Sequence, residues 1–145
     1  MVKVTIKVDS SKIKNLGDKI PLIKRKGLHY SAQGLLRTLQ INSPIDTGLL
    51  RSWFFYEFGD SEVNIRTPAK YAKYVNDGTG IYGPMGTPIY NDSVGHPFAF
   101  QVNGQMIYTH VIKGQKGQHF VERSISETES KIKQFYIKAI ADVMK

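Results

Sequence analysis

The 145-residue sequence contains no cysteine, which excludes disulfide frameworks, thiolate metal sites and cysteine nucleophiles together. It also has no apolar run approaching the roughly 20 residues that a transmembrane helix needs. Its first residues alternate lysine with β-branched residues instead of forming the apolar stretch of a secretory signal, which predicts a cytosolic protein. The hydrophobic fraction of 41% and the charged fraction of 22% are typical of a globular chain and exclude a disordered one.

The length predicts a single domain spanning residues 1–145, with room for an ordinary hydrophobic core. Positive charge dominates, because 20 lysines and arginines face 12 acidic residues and give a net charge of +8. Eight of the basic residues, and only two acidic ones, fall within residues 1–30. This stripe favours either contact with nucleic-acid phosphates or an acidic partner, or simply a solvated face. The candidate contacts are Lys3, Lys7, Lys24, Arg25 and Lys26.

Hydrophobic periodicity predicts an α+β fold in which a mostly antiparallel sheet packs against two main helices. The alternating segment Val2–Val8 predicts a first strand. Helical spacing of apolar residues predicts the two helices at about residues 19–40 and 119–144, with Asp18 as the N-cap of the first. Gly27 and Gly34 weaken that first helix, so they indicate a close packing contact or a bend.

Further strands are predicted as two hairpins, and one long segment lacks any periodicity. The aromatic run 49–58 pairs with 62–67, and 98–102 pairs with 106–112 around Asn103-Gly104. A short helix is predicted at 69–75. Residues 77–95 are rich in glycine and proline, which predicts a long loop that orders on contact with a partner.

No catalytic, cofactor or metal-binding residue is predicted. Asp46-Thr47-Gly48 spells the triplet of aspartic proteases, but it lacks the expected flanking strand and the residue types favour a turn. The structural turn motif is predicted to comprise Pro44, Asp46, Thr47 and Gly48. Four histidines, without cysteine, form none of the short metal-binding or nuclease patterns.

Aromatic residues cluster around the glycine-rich segment. Tyrosines on such a loop suit a protein interface, where they give contact area at low entropic cost, although packing on their own sheet is the alternative. We expect the partner contacts to be Arg51, Tyr71, Tyr74, Tyr82 and Tyr90.

Three segments, in order and spacing, resemble a known family. They are Ser43-Pro-Ile-Asp-Thr-Gly-Leu-Leu-Arg-Ser-Trp53, Tyr71-Ala-Lys-Tyr-Val-Asn-Asp-Gly-Thr79 and Lys113-Gly-Gln-Lys-Gly-Gln-His-Phe120. Together they are similar to motifs of the tail-completion, or head–tail joining, neck proteins of long-tailed bacteriophages and related archaeal viruses. The likeness spans about residues 20–143.

The resemblance implies a non-enzymatic α+β subunit that forms a ring, commonly of six copies, around the DNA channel. Its neighbours would be a connector or stopper ring and the tail tube protein, within the virion neck, after assembly in the host cytoplasm. The basic residues would contact DNA non-specifically or face an acidic partner ring, and no membrane or cofactor is implied. A head-side stopper or adaptor ring, and a basic nucleic-acid-binding protein or nuclease, remain as alternatives.

Overall fold

The computed structural model describes residues 2–7, 17–45, 48–91 and 95–145, and these residues form an α+β fold, as the hydrophobic patterns predict. The helices are α1 (Ile20–Asn42), α2 (Ala72–Asp77), α3 (Phe120–Glu129) and α4 (Ile132–Val143). The strands are β1 (Lys3–Lys7), β2 (Phe54–Phe58), β3 (Glu62–Arg66), β4 (Ile89–Tyr90), β5 (Phe98–Val102), β6 (Gln105–Thr109) and β7 (Val111–Ile112). None of these helices is long and apolar enough to cross a membrane.

The chain divides into two compact units, one within residues 1–72 and 120–145 and the other within residues 73–119. The first unit holds a three-stranded antiparallel sheet in the order β1-β3-β2, together with α1, α3 and α4. The second unit holds the paired strands β4-β7 and β5-β6. The single domain predicted from the length stays a prediction.

The core of the first unit lies between α1 and the central strand β3. Leu28, Leu39, Val63 and Ile65 are all fully buried there, as the helical and period-2 patterns require. The first predicted helix is therefore confirmed, at residues 20–42 instead of about 19–40. Asp18 is not its N-cap, because a short 3-10 turn precedes the helix and Lys19 occupies the cap position.

The two glycines of α1 are sites of close helix packing, as the sequence indicates. A Cβ atom at Gly27 would overlap the ring of Tyr136, and one at Gly34 would lie 2.6 Å from the ring of Phe135. Both aromatic side chains belong to α4. Because these two glycines have no side chain, α4 can approach α1 closely enough for its two aromatic rings to pack against the backbone of α1.

The helix predicted over residues 119–144 is two helices, α3 and α4, separated at Ser130 and Lys131. The amide of Lys131 bonds to the carbonyl of Thr128 at 2.9 Å, which is the tighter 3-10 spacing. Side-chain hydroxyls of Thr128 and Ser130 donate to backbone carbonyls of the preceding turn. Such bonds compete with the helical ladder and favour its interruption.

The first part of the strand predicted over residues 49–58 is not a strand in the structure. Residues 49–51 form a 3-10 turn, because Gly48 has a left-handed φ of 87° and its carbonyl accepts from the amide of Arg51. The strand β2 begins only at Phe54 and pairs with β3 across a bulge between Phe55 and Glu57. The second predicted hairpin is confirmed over residues 98–109, since β5 and β6 join through Asn103 and Gly104, both with positive φ. Residues 111–112 of the predicted strand instead form β7, which pairs with β4.

The segment 77–95 has more regular structure than its composition predicts. Residues 80–82 form a 3-10 turn and residues 89–90 form β4, which pairs with β7. Residues 92–94 lie outside the described part. Long-range pairing with residues that follow some twenty positions later is invisible to a local periodicity search, which explains the difference.

The fit between α1 and α4 can be tested with Gly27→Ala. Alanine normally stabilises a helix by up to about 1 kcal/mol over glycine. Here the added methyl meets the ring of Tyr136, so we expect a net loss of about 1–3 kcal/mol in the free energy of unfolding. Denaturant titration measures it. Gln33→Ala, at an exposed position of the same helix, is the control and should change stability little; equal or greater stability of Gly27→Ala would contradict the packing.

A charged hydrogen bond also ties α1 to α4. The hydroxyl of Tyr30 donates to the carboxylate of Asp142. This bond lowers the pKa of Asp142 below its usual range and raises the pKa of Tyr30, and nearby lysines, Lys26 first, lower the pKa of Asp142 further. The ammonium of Lys138 lies 4.5 Å from the ring centre of Tyr30.

The hydrogen bond between Tyr30 and Asp142 makes a pH-dependent contribution to the stability of the fold, and Tyr30→Phe should remove it. A lowered carboxyl pKa contributes stability above pH about 4 that is lost on further acidification. A raised tyrosine pKa contributes stability that is lost as the pH rises above about 10. We expect the melting temperatures of the wild type and the variant to differ most between these limits and to converge outside them. Tyr74→Phe, at an exposed position, is the control, and a pH-independent difference would contradict the assignment.

Candidate interaction surface

Two of the motif segments meet in the second unit through backbone hydrogen bonds. The amide of Thr79 donates to the carbonyl of Gln115 at 2.9 Å, and the amide of Ile81 donates to the carbonyl of Lys113 at 2.8 Å. The hydroxyl of Thr79 also accepts from the amide of Gln115 at 2.9 Å. The amides of residues 118 and 119 donate to the carbonyls of residues 75 and 76. We call this crossing of residues 75–81 over 113–119 the glycine clasp.

Glycine is required at the clasp because two backbones touch. A Cβ at Gly80 would overlap the carbonyl of Lys113, and one at Gly114 would overlap the carbonyl of Thr79. Both glycines also have positive φ, which side-chain-bearing residues rarely adopt. A Cβ at Gly78 would lie 2.7 Å from the amide nitrogen of Gly117. The Gly-Thr and Lys-Gly-Gln pieces of the motifs are therefore the two halves of one contact.

The glycine clasp joins the two ends of the segment formed by residues 82–112. The segment therefore begins and ends at the same place in the second unit. It contains the short strand pair β4-β7, next to the clasp in the chain, and the hairpin of β5 and β6. We call Phe98–Thr109 the apolar hairpin.

The apolar hairpin is exposed and carries no charged residue. One face has the side chains of Phe100 and Ile107, both 40% exposed, and the other has Met106 and Tyr108. A two-stranded hairpin is at best marginally stable alone in water. Contiguous exposed apolar surface of this kind typically marks an interaction site.

A shallow apolar groove lies beside the clasp, within the second unit. It encloses about 380 Å³ between Tyr74, the 3-10 turn that follows Thr79, and Met85 with Pro88. Met85 is 84% exposed. With the apolar hairpin, it extends the surface available to a protein partner.

The tyrosines predicted as interface residues divide between the two units. Tyr74, Tyr82 and Tyr90 are exposed in the second unit, whereas Tyr71 is half-buried and belongs to the first. The ammonium of Lys116 lies 5.8 Å from the ring centre of Tyr82. Contact of these tyrosines with a partner stays a prediction.

Arg51 is engaged within its own chain. Its guanidinium donates to the carbonyl of Ser43 at 2.9 Å and to that of Ile41 at 3.3 Å, at the carboxyl end of α1. A cation at this end of a helix satisfies carbonyls that have no intrahelical partner. Trp53 completes the arrangement by donating from its indole nitrogen to the hydroxyl of Ser43 at 2.8 Å.

Two residues of the predicted turn motif, Pro44 and Gly48, lie between α1 and β2. Pro44 follows the capped helix end and Gly48 supplies the left-handed turn before β2. Asp46 and Thr47 lie outside the described residues. A role of Arg51 in binding a partner, beyond this cap, stays a prediction.

The basic candidates divide between two surfaces of the first unit. Lys3 and Lys7 share the face of β1 that is opposite to buried Val4, whereas Lys24, Arg25 and Lys26 lie on α1. Lys7 lies 3.7 Å from the carboxylate of Glu62, and Arg25 lies 3.2 Å from that of Asp60. Two of the five basic candidates are therefore partly neutralised in the fold, by carboxylates that lie two residues apart in the chain.

The described residues form no candidate metal centre. They contain no group of three histidine, aspartate or glutamate residues close enough to hold a metal ion. The geometry instead provides an exposed apolar surface, of which the apolar hairpin is the main element. Sequence reasoning predicted this hairpin but did not assign it as a contact surface, although the uncharged run of twenty residues from Ser93 to Ile112 in a basic chain was the available signal.

Comparison with known proteins agrees with a structural role in a phage particle. A family model described as "Bacteriophage HK97-gp10, putative tail-component" matches residues 10–78, a little under half of the chain. The match supports a phage tail-region family and, with it, a structural protein of the virion. It includes the turn motif and ends at Gly78, the first glycine of the clasp. No curated protein and no solved structure gives a significant match.

The clasp can be tested with Gly114→Ala. The methyl group would overlap the carbonyl of Thr79 in a left-handed backbone, so we expect the crossing to open. Hydrogen exchange at the amides of Thr79 and Gln115 should then accelerate at least about 10-fold, while exchange in α1 stays unchanged. Gly86→Ala is the matched control, because Gly86 also has positive φ but has nothing within 4 Å of its Cβ position. Equal acceleration in both variants would contradict a steric clasp.

Proposed function

We propose that this protein is a structural subunit of the phage neck, a tail-completion or tail-terminator protein that assembles as a ring around the DNA channel. The ring would join the tail tube to the head connector and hold neighbouring rings by surface complementarity. Six copies are the expected number. The alternative is a head-side stopper or adaptor ring, which would have the same structural role at a different level of the neck.

The observation that carries the proposal is the apolar hairpin. A monomer that exposes phenylalanine, isoleucine, methionine and tyrosine on a two-stranded hairpin gains by burying part of this surface against another subunit. The similarity of residues 10–78 to a phage tail component supplies the biological context. A subunit whose apolar surface faces outward and whose basic groups are partly paired is better suited to protein assembly than to catalysis.

The basic residues also favour protein assembly over DNA binding as the main activity. Binding of a DNA backbone needs several free cations on one surface, because each phosphate contact contributes through counterion release. Lys7 and Arg25 have carboxylate partners, and the remaining candidates divide between the sheet and α1. Weak contact with passing DNA from a ring of such subunits is compatible with this arrangement.

Light scattering of the purified chain tests the proposal. We expect a single species whose mass is a multiple of the 16.4 kDa subunit, roughly 98 kDa for six copies, and a ring with a central opening in negative-stain images. A monomer at all concentrations up to about 100 µM would contradict the ring. A gel shift with salt-sensitive submicromolar DNA affinity at physiological salt, together with a monomeric mass, would favour the nucleic-acid-binding alternative.

A further inference from the structure

The first unit has a sheet edge that no described strand covers. β1 pairs with β3 along one side only, from Lys3 opposite Arg66 to Lys7 opposite Glu62. Along its other side runs a groove of about 230 Å³. Its walls are the side of β1 itself, Leu35 of α1, and Ile125 and Ile132 of α3 and α4. An edge strand beside an apolar groove can accept one more strand.

We propose that the apolar hairpin of one copy adds to the free edge of β1 in a neighbouring copy. This inference rests on the proposed ring and names the contact that closes it. The hairpin face with Phe100 and Ile107 would enter the groove, and the opposite face, with Met106, would stay outside. Backbone hydrogen bonds would supply register, while the apolar side chains would fill the groove.

Charge is compatible with a second copy of this chain as the occupant. Subunits that each carry +8 repel one another, so a contact between them costs less where its buried part adds no further positive charge. The apolar hairpin meets this condition, because residues 98–109 contain no ionisable side chain that is charged at neutral pH. The groove residues are also apolar or uncharged except for Lys7 and Glu129, which have opposite signs.

Dimensions and symmetry agree with this pairing. β1, β5 and β6 each have five residues, so either hairpin strand covers the whole edge. Because the hairpin and the groove are different surfaces of one chain, the contact is head-to-tail. Head-to-tail contacts generate closed rings when the rotation between copies completes a circle.

Disulfide trapping tests the contact directly, since the chain has no cysteine of its own. Thr5 is on the face of β1 opposite to Val4, and Met106 is on the hairpin face opposite to Ile107, so both would point outward in the joined sheet. In Thr5→Cys/Met106→Cys, oxidation should give a ladder of linked subunits ending at the copy number of the ring. Thr5→Cys/Gln101→Cys tests the other hairpin strand, and Gln33→Cys/Met106→Cys is the unlinked control.

The outcomes separate this inference from the proposed function. A wild-type ring in which neither β1–hairpin pair links different chains, or in which cysteines join only within one chain, overturns the hairpin contact and leaves the ring standing. A wild-type monomer overturns both. A ladder in both β1–hairpin variants that is no stronger than in the Gln33 control also overturns the contact.

A second measurement does not depend on cross-linking. Ile107→Glu places a charge on the face that enters the groove and should raise the dissociation constant of the ring at least 10-fold, with an unchanged circular dichroism spectrum. Gln101→Glu places the same charge on the outward face of the same hairpin and should leave the mass at the wild-type value. Equal weakening by both substitutions would overturn the assigned orientation.

Discussion

The second unit depends on one constraint, the contact of two backbones in the glycine clasp. Gly80 and Gly114 each lie against a carbonyl of the opposing segment, so no side chain can separate the two strands of chain. The hydrogen bonds of Thr79 are possible only at this separation. Everything between residues 82 and 112, including the apolar hairpin, is held at its two ends by this crossing.

The first unit depends on a related constraint, since α4 approaches α1 where Gly27 and Gly34 leave space for two rings. The far end of α1 is closed by Arg51 and by the bond of Trp53 to Ser43. Ser43, Arg51 and Trp53 of the motif segment therefore close the carboxyl end of α1.

The helices and hairpins were predictable because their signals are local. Alternation and helical spacing predict β1 and α1 well, and Asn103-Gly104 predicts the turn between β5 and β6. The features that could not be predicted depend on residues distant in the sequence. Strand β4 forms only by pairing with β7, and the 3-10 turn of residues 80–82 is held by the hydrogen bonds of the glycine clasp. The pairing of two basic residues was hidden for the same reason, because the carboxylates that meet Lys7 and Arg25 belong to residues 62 and 60, far along the sequence.

Charge and exposure together are compatible with assembly of this strongly basic chain into the proposed ring. Repulsion between copies would be weakest where the contact is neutral, and the apolar hairpin is both neutral and exposed. In that ring the basic residues would remain at the periphery of the contact, where solvent and ions screen charges within about 10 Å. They would add to a positive surface available to DNA or to an acidic neighbour, so the same distribution of charge would serve assembly first and contact with the channel contents second.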